Sequence, residues 1–406
     1  MNPDNRSHAG SKSWRSQNVW GFSLGSLFSD MGHELVTTVL PAFLLTIGAP
    51  VFALAVIEGV SNFSQSLASL WGGKWADRRK TRERIIFAGY VMTGIKALIA
   101  IVGYWPWIVV LRTVAWIGRG ARGPIRDTMI ADEIAPDNRG KAYGFRETFD
   151  TAGAIIGPLA ATLLITVISP RTLIALSAIP ALITVAVIGG MVREIPRTPL
   201  QQSPLSDIKP KRTEGSETYR VFRMGVVVFW LGVISPTFFI MRVLLTHPHG
   251  LPVSVEAFAF GLYTLYNIFY AASAYPAGIL SDQGRSKGIT LSGYGLWTLS
   301  LVGFAFLPDL PNWLWPLLFI LAGLATGFIE TGQKTMAVRL LTPVERGRSL
   351  GQLAGTKGLS QLVGTILMGG LWGLHRPFLG FLFLALAAFI GWAIILSIPR
   401  ISKAAS

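Results

Sequence analysis

The sequence contains no cysteine, which excludes disulfides, thiolate metal sites and cysteine nucleophiles. Charge is scarce as well: 14% of residues are Asp, Glu, Lys or Arg, against about 25% in an ordinary soluble domain. With 51% hydrophobic residues and a mean hydropathy of +0.50, the composition is that of a polytopic membrane protein. Acids are the rarer sign, 21 against 36 Lys and Arg, which leaves a net charge of +15. A basic excess can signal nucleic acid. Here the basic residues instead cluster in alternate breaks between apolar runs, as loops on the cytoplasmic side of a membrane do. Residues 1–17 are polar, and the first apolar segment is too long and too charged for the hydrophobic region of a signal peptide.

Apolar segments long enough to cross a bilayer as helices recur along the chain. They lie at 18–47, 51–75, 84–104, 107–131, 142–168, 172–192, 221–245, 253–280, 288–307, 313–340, 349–374 and 377–398. The predicted fold class is therefore an all-α membrane protein of twelve transmembrane helices. The second, fourth, sixth, eighth and tenth breaks hold "KWADRRKTRER", "DNRGK", the 193–223 segment, "GRSK" and "ERGR". The other breaks hold little positive charge beyond Arg171 and Arg376, so both termini are expected in the cytoplasm. The Pro-rich, charged stretch 193–218 reads as a central cytoplasmic linker. It joins an N-terminal six-helix bundle, 18–192, to a C-terminal one, 219–400, with tails at 1–17 and 401–406.

The two halves are related in sequence. "TMIADEIAPDNRGKAYG" aligns with "TMAVRLLTPVERGRSLG", so that Thr128, Met129, Pro136, Arg139, Gly140 and Gly144 match Thr335, Met336, Pro343, Arg346, Gly347 and Gly351. Asn62, Gly73 and Asp77 likewise match Asn267, Gly278 and Asp282. Two such halves in one orientation form a parallel repeat, and transporter sites lie between repeats of this kind near the midplane.

The segment "GGKWADRRKTR" carries Gly73, Asp77, Arg78 and Arg82, and a degenerate copy, "GILSDQGRSK", carries Gly278, Asp282, Arg285 and Lys287. This arrangement resembles the major facilitator superfamily over about 18–400, with two pseudo-symmetric six-helix bundles. The resemblance implies a secondary transporter of the cell (inner) membrane rather than an enzyme, with helices 1, 4, 7 and 10 around a central cavity. It also implies that Asp77 sits against the start of helix 11, near Arg348 and Ser349, and favours the outward-facing state. A carboxylate beside a helix N-terminus gains about 0.3–1 kcal/mol, which suits a latch that must reopen. Gly144, Gly153, Gly157 and Pro158 are similar to the family's helix 5 signature for antiporters and exporters, although Ala160-Ala161 replaces its closing Gly-Gly. Two other formal matches, "GRGARG" to a dinucleotide fingerprint and "GFSLG" to a nucleophile elbow, lie inside membrane segments and lack the required strand context.

Helix 1 is the unusual one. It carries Asp30, His33 and Glu34, and a charge at the bilayer centre costs about 2.5–3.5 kcal/mol even on the lenient scale. At helical spacing, Ser23, Ser26, Asp30, His33, Glu34, Thr37 and Pro41 share about one third of the circumference, a stripe expected to face a wet cavity. Asp30 and Glu34 are predicted proton carriers, with His33 tuning or relaying; the alternative is structural ion pairing to helix 4 or Lys96. Arg119 and Arg122 on helix 4 would either bind an anion or neutralise an unprotonated acid, and Glu58 with Arg112 would form a structural pair.

In the second half, Ser235 and Phe239 stand where Asp30 and Glu34 stand in the first. Trp230, Phe238, Tyr263, Tyr266, Asn267 and Tyr270 supply aromatic and amide groups suited to an amphipathic pocket wall or to core packing. Near the cytoplasmic end the equivalent positions carry opposite charge: Asp127 matches Lys334 and Asp150 matches Lys357. Asp150–Lys334 and Asp127–Lys357 pairs would join the halves in the outward-facing state and part in the inward-facing one.

The expected function is proton-coupled antiport, exporting a small amphipathic compound by alternating access. A proton symporter or uniporter for metabolite uptake, a divalent metal exporter using the donors of helix 1, and a non-transporting receptor are the alternatives. The expected partners are a small molecule, protons and the lipid bilayer, with no nucleic acid, cofactor or bound metal, and the expected state is a monomer.

Overall fold

The computed structural model describes residues 14–76, 82–195, 215–246, 248, 250–341 and 346–399. No strand occurs among them. The twelve helices are α1 (Gln17–Thr46), α2 (Val51–Ala76), α3 (Arg82–Ile101), α4 (Trp105–Glu133), α5 (Pro136–Leu164) and α6 (Pro170–Met191), followed by α7 in two pieces, α7a (Gly215–Leu231) and α7b (Thr237–Thr246). Then come α8 (Val255–Leu280), α9 (Ser286–Ala305), α10 (Trp315–Arg339), α11 (Arg346–Gly373) and α12 (Pro377–Ser397). Starts are marked by local chemistry. Ser16, Ser169 and Ser254 cap α1, α6 and α8 with side-chain oxygens that accept from Val19, Thr172 and Ala257 N–H groups, and α4, α5, α6, α10 and α12 carry Pro in the first two positions.

One expected span is not a single helix. The predicted segment 221–245 is interrupted at 232–236, where Pro236 lacks an N–H and the chain turns before α7b. Non-helical backbone at membrane depth is tolerated where it lines a cavity, and this break does so. Two smaller irregularities also lay outside the expectation: α3 finishes in a 3-10 stretch, Ile95–Ile101, and α6 is interrupted at Ser177.

Six stretches among the described residues are long and apolar enough to cross a membrane by composition alone, and one of them, Val255–Ala305, holds both α8 and α9. The five helices left over are α1, α4, α5, α7 and α11. Each of these five faces the other half or the space between the halves, so its polar residues are withdrawn from lipid. The outer surface is apolar instead, with Ile101, Val167, Leu182, Leu299 and Leu386 exposed. Tyr104, Trp107 and Trp313, exposed near helix ends, suit the headgroup level.

Packing within the halves is equivalent: α2 lies on α4 as α8 lies on α10, and α1 lies on α5 as α7a lies on α11. The seam repeats the symmetry, with α2 against α11 and α8 against α5. At the end away from the chain termini, α1 also packs on α7b, whereas among the described residues no comparable packing joins α1 to α7a or α4 to α10. The space between the bundles is therefore closed at one end and open at the end that bears the termini.

The repeated motif residues tie helices at the open end. Arg82 donates to Asp132 (2.5 Å), Glu194 (2.8 Å) and the Ile195 carbonyl (2.8 Å). Its counterpart Lys287 donates to the carbonyls of Leu396 (2.9 Å) and Ile398. Each clamps the start of the third helix of its half to the end of the sixth. Asp282 and Arg285 lie in a wide turn, Ser281–Arg285, made possible by Gly284 at φ 94°. Arg339 holds that turn through the Ser281 and Asp282 carbonyls at 2.7 and 3.1 Å. Gly73 is exposed near the end of α2, while Asp77 and Arg78 lie outside the described residues.

Candidate functional site

The space between the bundles holds a cavity of about 290 Å³, near the lower end of small-molecule pockets. Its N-terminal wall comprises His33, Glu34 and Thr37 of α1, Glu58, Asn62 and Gln65 of α2, and Arg112 and Trp116 of α4. The facing wall comprises Trp230 and the α7 break, Tyr263, Tyr266, Asn267 and Tyr270 of α8, Trp297 of α9, and Thr326, Ile329 and Glu330 of α10. A second chamber of about 210 Å³ is lined by Asp30, Arg119, Arg122, Arg126, Arg146 and Asp150, and shares Gln65 with the first.

The acids of α1 therefore part company. Asp30, 3% exposed, turns into the second chamber and pairs with Arg119. Glu34 faces the central cavity, where the Tyr263 hydroxyl donates to its Oε2 at 2.7 Å. That hydrogen bond crosses from one half to the other. His33 lies 3.7 Å from Glu34 through Nε2, and its ring sits 4.4 Å from that of Trp116. The three donors of helix 1 thus do not converge, and no metal-competent cluster of His, Asp and Glu occurs among the described residues. His247 and His249 lie outside the described residues.

The basic residues of α4 are individually occupied. Arg122 belongs to the second chamber rather than the central cavity; it donates to Thr93 Oγ1 (2.6 Å) and Ser29 Oγ (2.8 Å) and lies over the Tyr90 ring. Arg126 reaches Ser26 Oγ (3.1 Å) and Asp127 (3.3 Å). Arg112 pairs with Glu58 at 2.6 Å, both side chains being almost wholly buried. Lys96 approaches the Ser29 carbonyl at 3.5 Å.

Of the aromatic residues named from the sequence, Trp230, Tyr263, Tyr266 and Tyr270 reach the cavity, together with Asn267. Phe238 does not. It is fully buried within the C-terminal bundle, with Trp372 at 6.1 Å, because the α7 break gives the wall to residues 233–236 and turns α7b into its own core. The cross-seam pairs are not formed in this open-ended state. Asp150 bonds Arg146 (3.3 Å) and Asp127 bonds Arg126, while Lys357 donates to Gln333 (3.2 Å) and lies 4.0 Å over the Trp230 ring. Lys334 is exposed. Trp116, Trp297 and Glu330 also line the cavity, beyond the residues expected from the sequence. Glu330, like Glu34, is an acid within a predicted span, although nearer that span's polar end.

The Tyr263–Glu34 bond closes the cavity from both halves, and a hydrogen bond to a carboxylate contributes about 1.5–3 kcal/mol. Tyr263→Phe is expected to move the population towards the form parted at the sealed end by about tenfold or more. Spin labels on cysteines introduced at Leu45 and Leu245, in a chain that otherwise has none, would report the distance. Distance distributions identical to those of Tyr263 protein would show that the bond has no hold on the equilibrium.

A cavity sealed at one end between two repeated six-helix bundles, with ionisable groups on its walls and an apolar outer surface, defines a membrane carrier. The chain belongs to the Major Facilitator Superfamily, whose family profile matches residues 22–261 and 249–406. An uncharacterised MFS-type transporter of Methanocaldococcus jannaschii is 26% identical over 398 residues, 94% of this chain and 95% of the relative. An uncharacterised Mycobacterium tuberculosis protein is 29% identical over 148 residues, 36% of each chain. Among solved structures, a nucleoside transporter mutant superposes with a TM-score of 0.76 at 12% identity, covering 94% of this chain and 99% of its own. A D-xylose–proton symporter does so with 0.73 at 15%, covering 97% and 100%.

Proposed function

We propose that this carrier is a proton-coupled antiporter that exports a small amphipathic compound by alternating access. It is placed in the cell (inner) membrane as a monomer with both termini in the cytoplasm, and the open end described above is then the cytoplasmic one. The observation that carries this reading is the Tyr263–Glu34 hydrogen bond inside the central cavity. A solute settling against the tyrosine wall competes for Tyr263, and a proton arriving at Glu34 removes the charge that Tyr263 bonds. Solute and proton are thus read by one contact that spans the two halves. Asp30, held by Arg119, is the second acid of the relay and is released only when that pair opens.

A proton moving down a difference of one pH unit is worth about 1.4 kcal/mol, or about tenfold in concentration for one-for-one exchange. A solute first identified by thermal stabilisation of the purified protein should therefore accumulate in proteoliposomes under an imposed proton gradient. Glu34→Gln is expected to bring that ratio to one while sparing exchange without a gradient. Unchanged gradient-driven accumulation in the variant would refute the assignment, and accumulation on the side to which protons flow would make the protein a symporter. The closed-cytoplasm state would join Asp150 to Lys334 and Asp127 to Lys357. Reversing both charges of one pair should then restore the transport that either single reversal removes.

A further inference from the structure

Taking the central cavity as the solute site, we propose that its solute is an organic cation with a flat apolar body and a hydrogen-bond acceptor at the opposite end. Glu330 is the residue that selects the positive charge.

Three observations on the cavity wall support this. The first is a tyrosine ladder along α8. Tyr263 and Tyr266 are stacked with ring centroids 5.5 Å apart and planes 16° apart, and Tyr266 and Tyr270 follow at 6.5 Å. Ring faces carry negative potential, so such a ladder attracts a cation as well as a flat ring.

The second is the placement of acid. Tyr263 donates to Glu34 at one end of the ladder and Tyr270 donates to Glu330 at 2.6 Å at the other, while Tyr266 bonds Thr326. Seven residues of helix separate the two ends, roughly 10 Å. Among the described residues neither acid has a Lys or Arg ion pair; of the neighbouring cations, Lys357 is bonded to Gln333 and faces Trp230, and Lys334, one turn further along α10, is exposed. The third acid on the wall, Glu58, is neutralised by Arg112. Among the described residues the wall therefore offers two carboxyl groups without a Lys or Arg partner, with His33 standing 3.7 Å from Glu34, and no unpaired Lys or Arg.

The third observation sets the direction. Arg112 lines the cavity and is 1% exposed, yet among the described residues its Nε and Nη1 have no hydrogen-bond partner. Buried donors of this kind are normally satisfied. Since the Arg112 charge is already balanced, they call for a neutral acceptor such as an ester or amide carbonyl. Arg112 also reaches Thr37, one turn beyond Glu34 towards the sealed end. The acceptor then points to the sealed end and the cation to the open one, where Glu330 is exposed and meets an incoming solute first.

The test is equilibrium binding to the purified full chain in detergent, with no gradient, so that it fails or succeeds apart from proton coupling. Benzoylcholine supplies cation, ring and carbonyl; 3,3-dimethylbutyl benzoate replaces its nitrogen by carbon and is neutral. We expect the cation to bind at least about tenfold more tightly, the discrimination that one desolvated cation–π or ionic contact supplies. Glu330→Gln should abolish most of that difference, and Tyr266→Leu should weaken both ligands. Equal or tighter binding of the neutral ester by the unaltered protein would overturn the cation assignment. Full discrimination retained by Glu330→Gln would overturn the role of Glu330. Loss of gradient coupling with the discrimination intact would strike the antiport reading alone.

Discussion

Glu58→Leu is expected to destabilise the protein by about 3–5 kcal/mol, because it leaves the Arg112 guanidinium buried without its counter-charge. The two groups sit 2.6 Å apart with side chains 1 and 2% exposed. What remains to Arg112 after the change is a long contact to Thr37 at 3.5 Å and the face of Trp116 at 4.1 Å. Neither replaces a carboxylate in a low-dielectric setting. Removing both partners is a different matter: the double change Glu58→Leu with Arg112→Leu is expected to recover most of the loss, since an apolar pair of similar volume is often as stable as a buried ion pair. Thermal or denaturant unfolding of the purified protein in detergent would measure all three variants. A single variant within about 1 kcal/mol of the parent would mean that water reaches Arg112 freely and that the pair is not buried in solution.

The parts of this architecture that were legible beforehand rest on local costs. An acid in an apolar run is expensive wherever it falls, so the polar stripe of α1 was visible without any knowledge of its neighbours. The helix ends were similarly visible through Pro and Ser: α12 was expected at 377–398 and runs Pro377–Ser397. The partners of those acids were not legible. Whether Asp30 and Glu34 act together depends on where α4 and α8 cross α1, and the fold sends one to Arg119 and the other to Tyr263. The α7 break is masked in the sequence: "GVISPT" contains the Gly and Ser-Pro that punctuate a helix, but its apolar flanks give the segment the pattern of one continuous span. Phe238 consequently lies on the other side from that expected, since helical register carried through a break loses its phase. Glu330 carries a weaker signal for a simpler reason: it sits near the polar end of its span, where an acid costs less.

The close approach of α1 and α5 gives the second large effect. A Cβ on Gly153 would meet the Leu27 carbonyl oxygen and, at 3.0 Å, the Met31 nitrogen; one on Gly157 would meet the Met31 carbonyl oxygen and, at 2.9 Å, the Leu35 nitrogen. The obstacles are backbone, which cannot rotate aside as a side chain would, so over-packing here should reach the upper end of its usual range, about 3 kcal/mol for each position. The two glycines are one turn apart on a single face of α5, the arrangement by which small residues let membrane helices touch. Leu at both therefore removes a large part of the roughly 5–15 kcal/mol that holds an ordinary domain together, and little folded protein is expected. The milder Gly157→Ala is the decisive measurement, with an expected loss of about 1–3 kcal/mol on thermal unfolding. It should also disturb function, because a Cβ at 157 lies 3.1 Å from the Glu34 Cβ. Pushing α1 away there moves Glu34 relative to Tyr263 and lengthens the bond that joins the halves. A Gly157→Ala protein as stable as its parent, with gradient-driven transport intact, would show that α1 and α5 stand further apart than this packing requires.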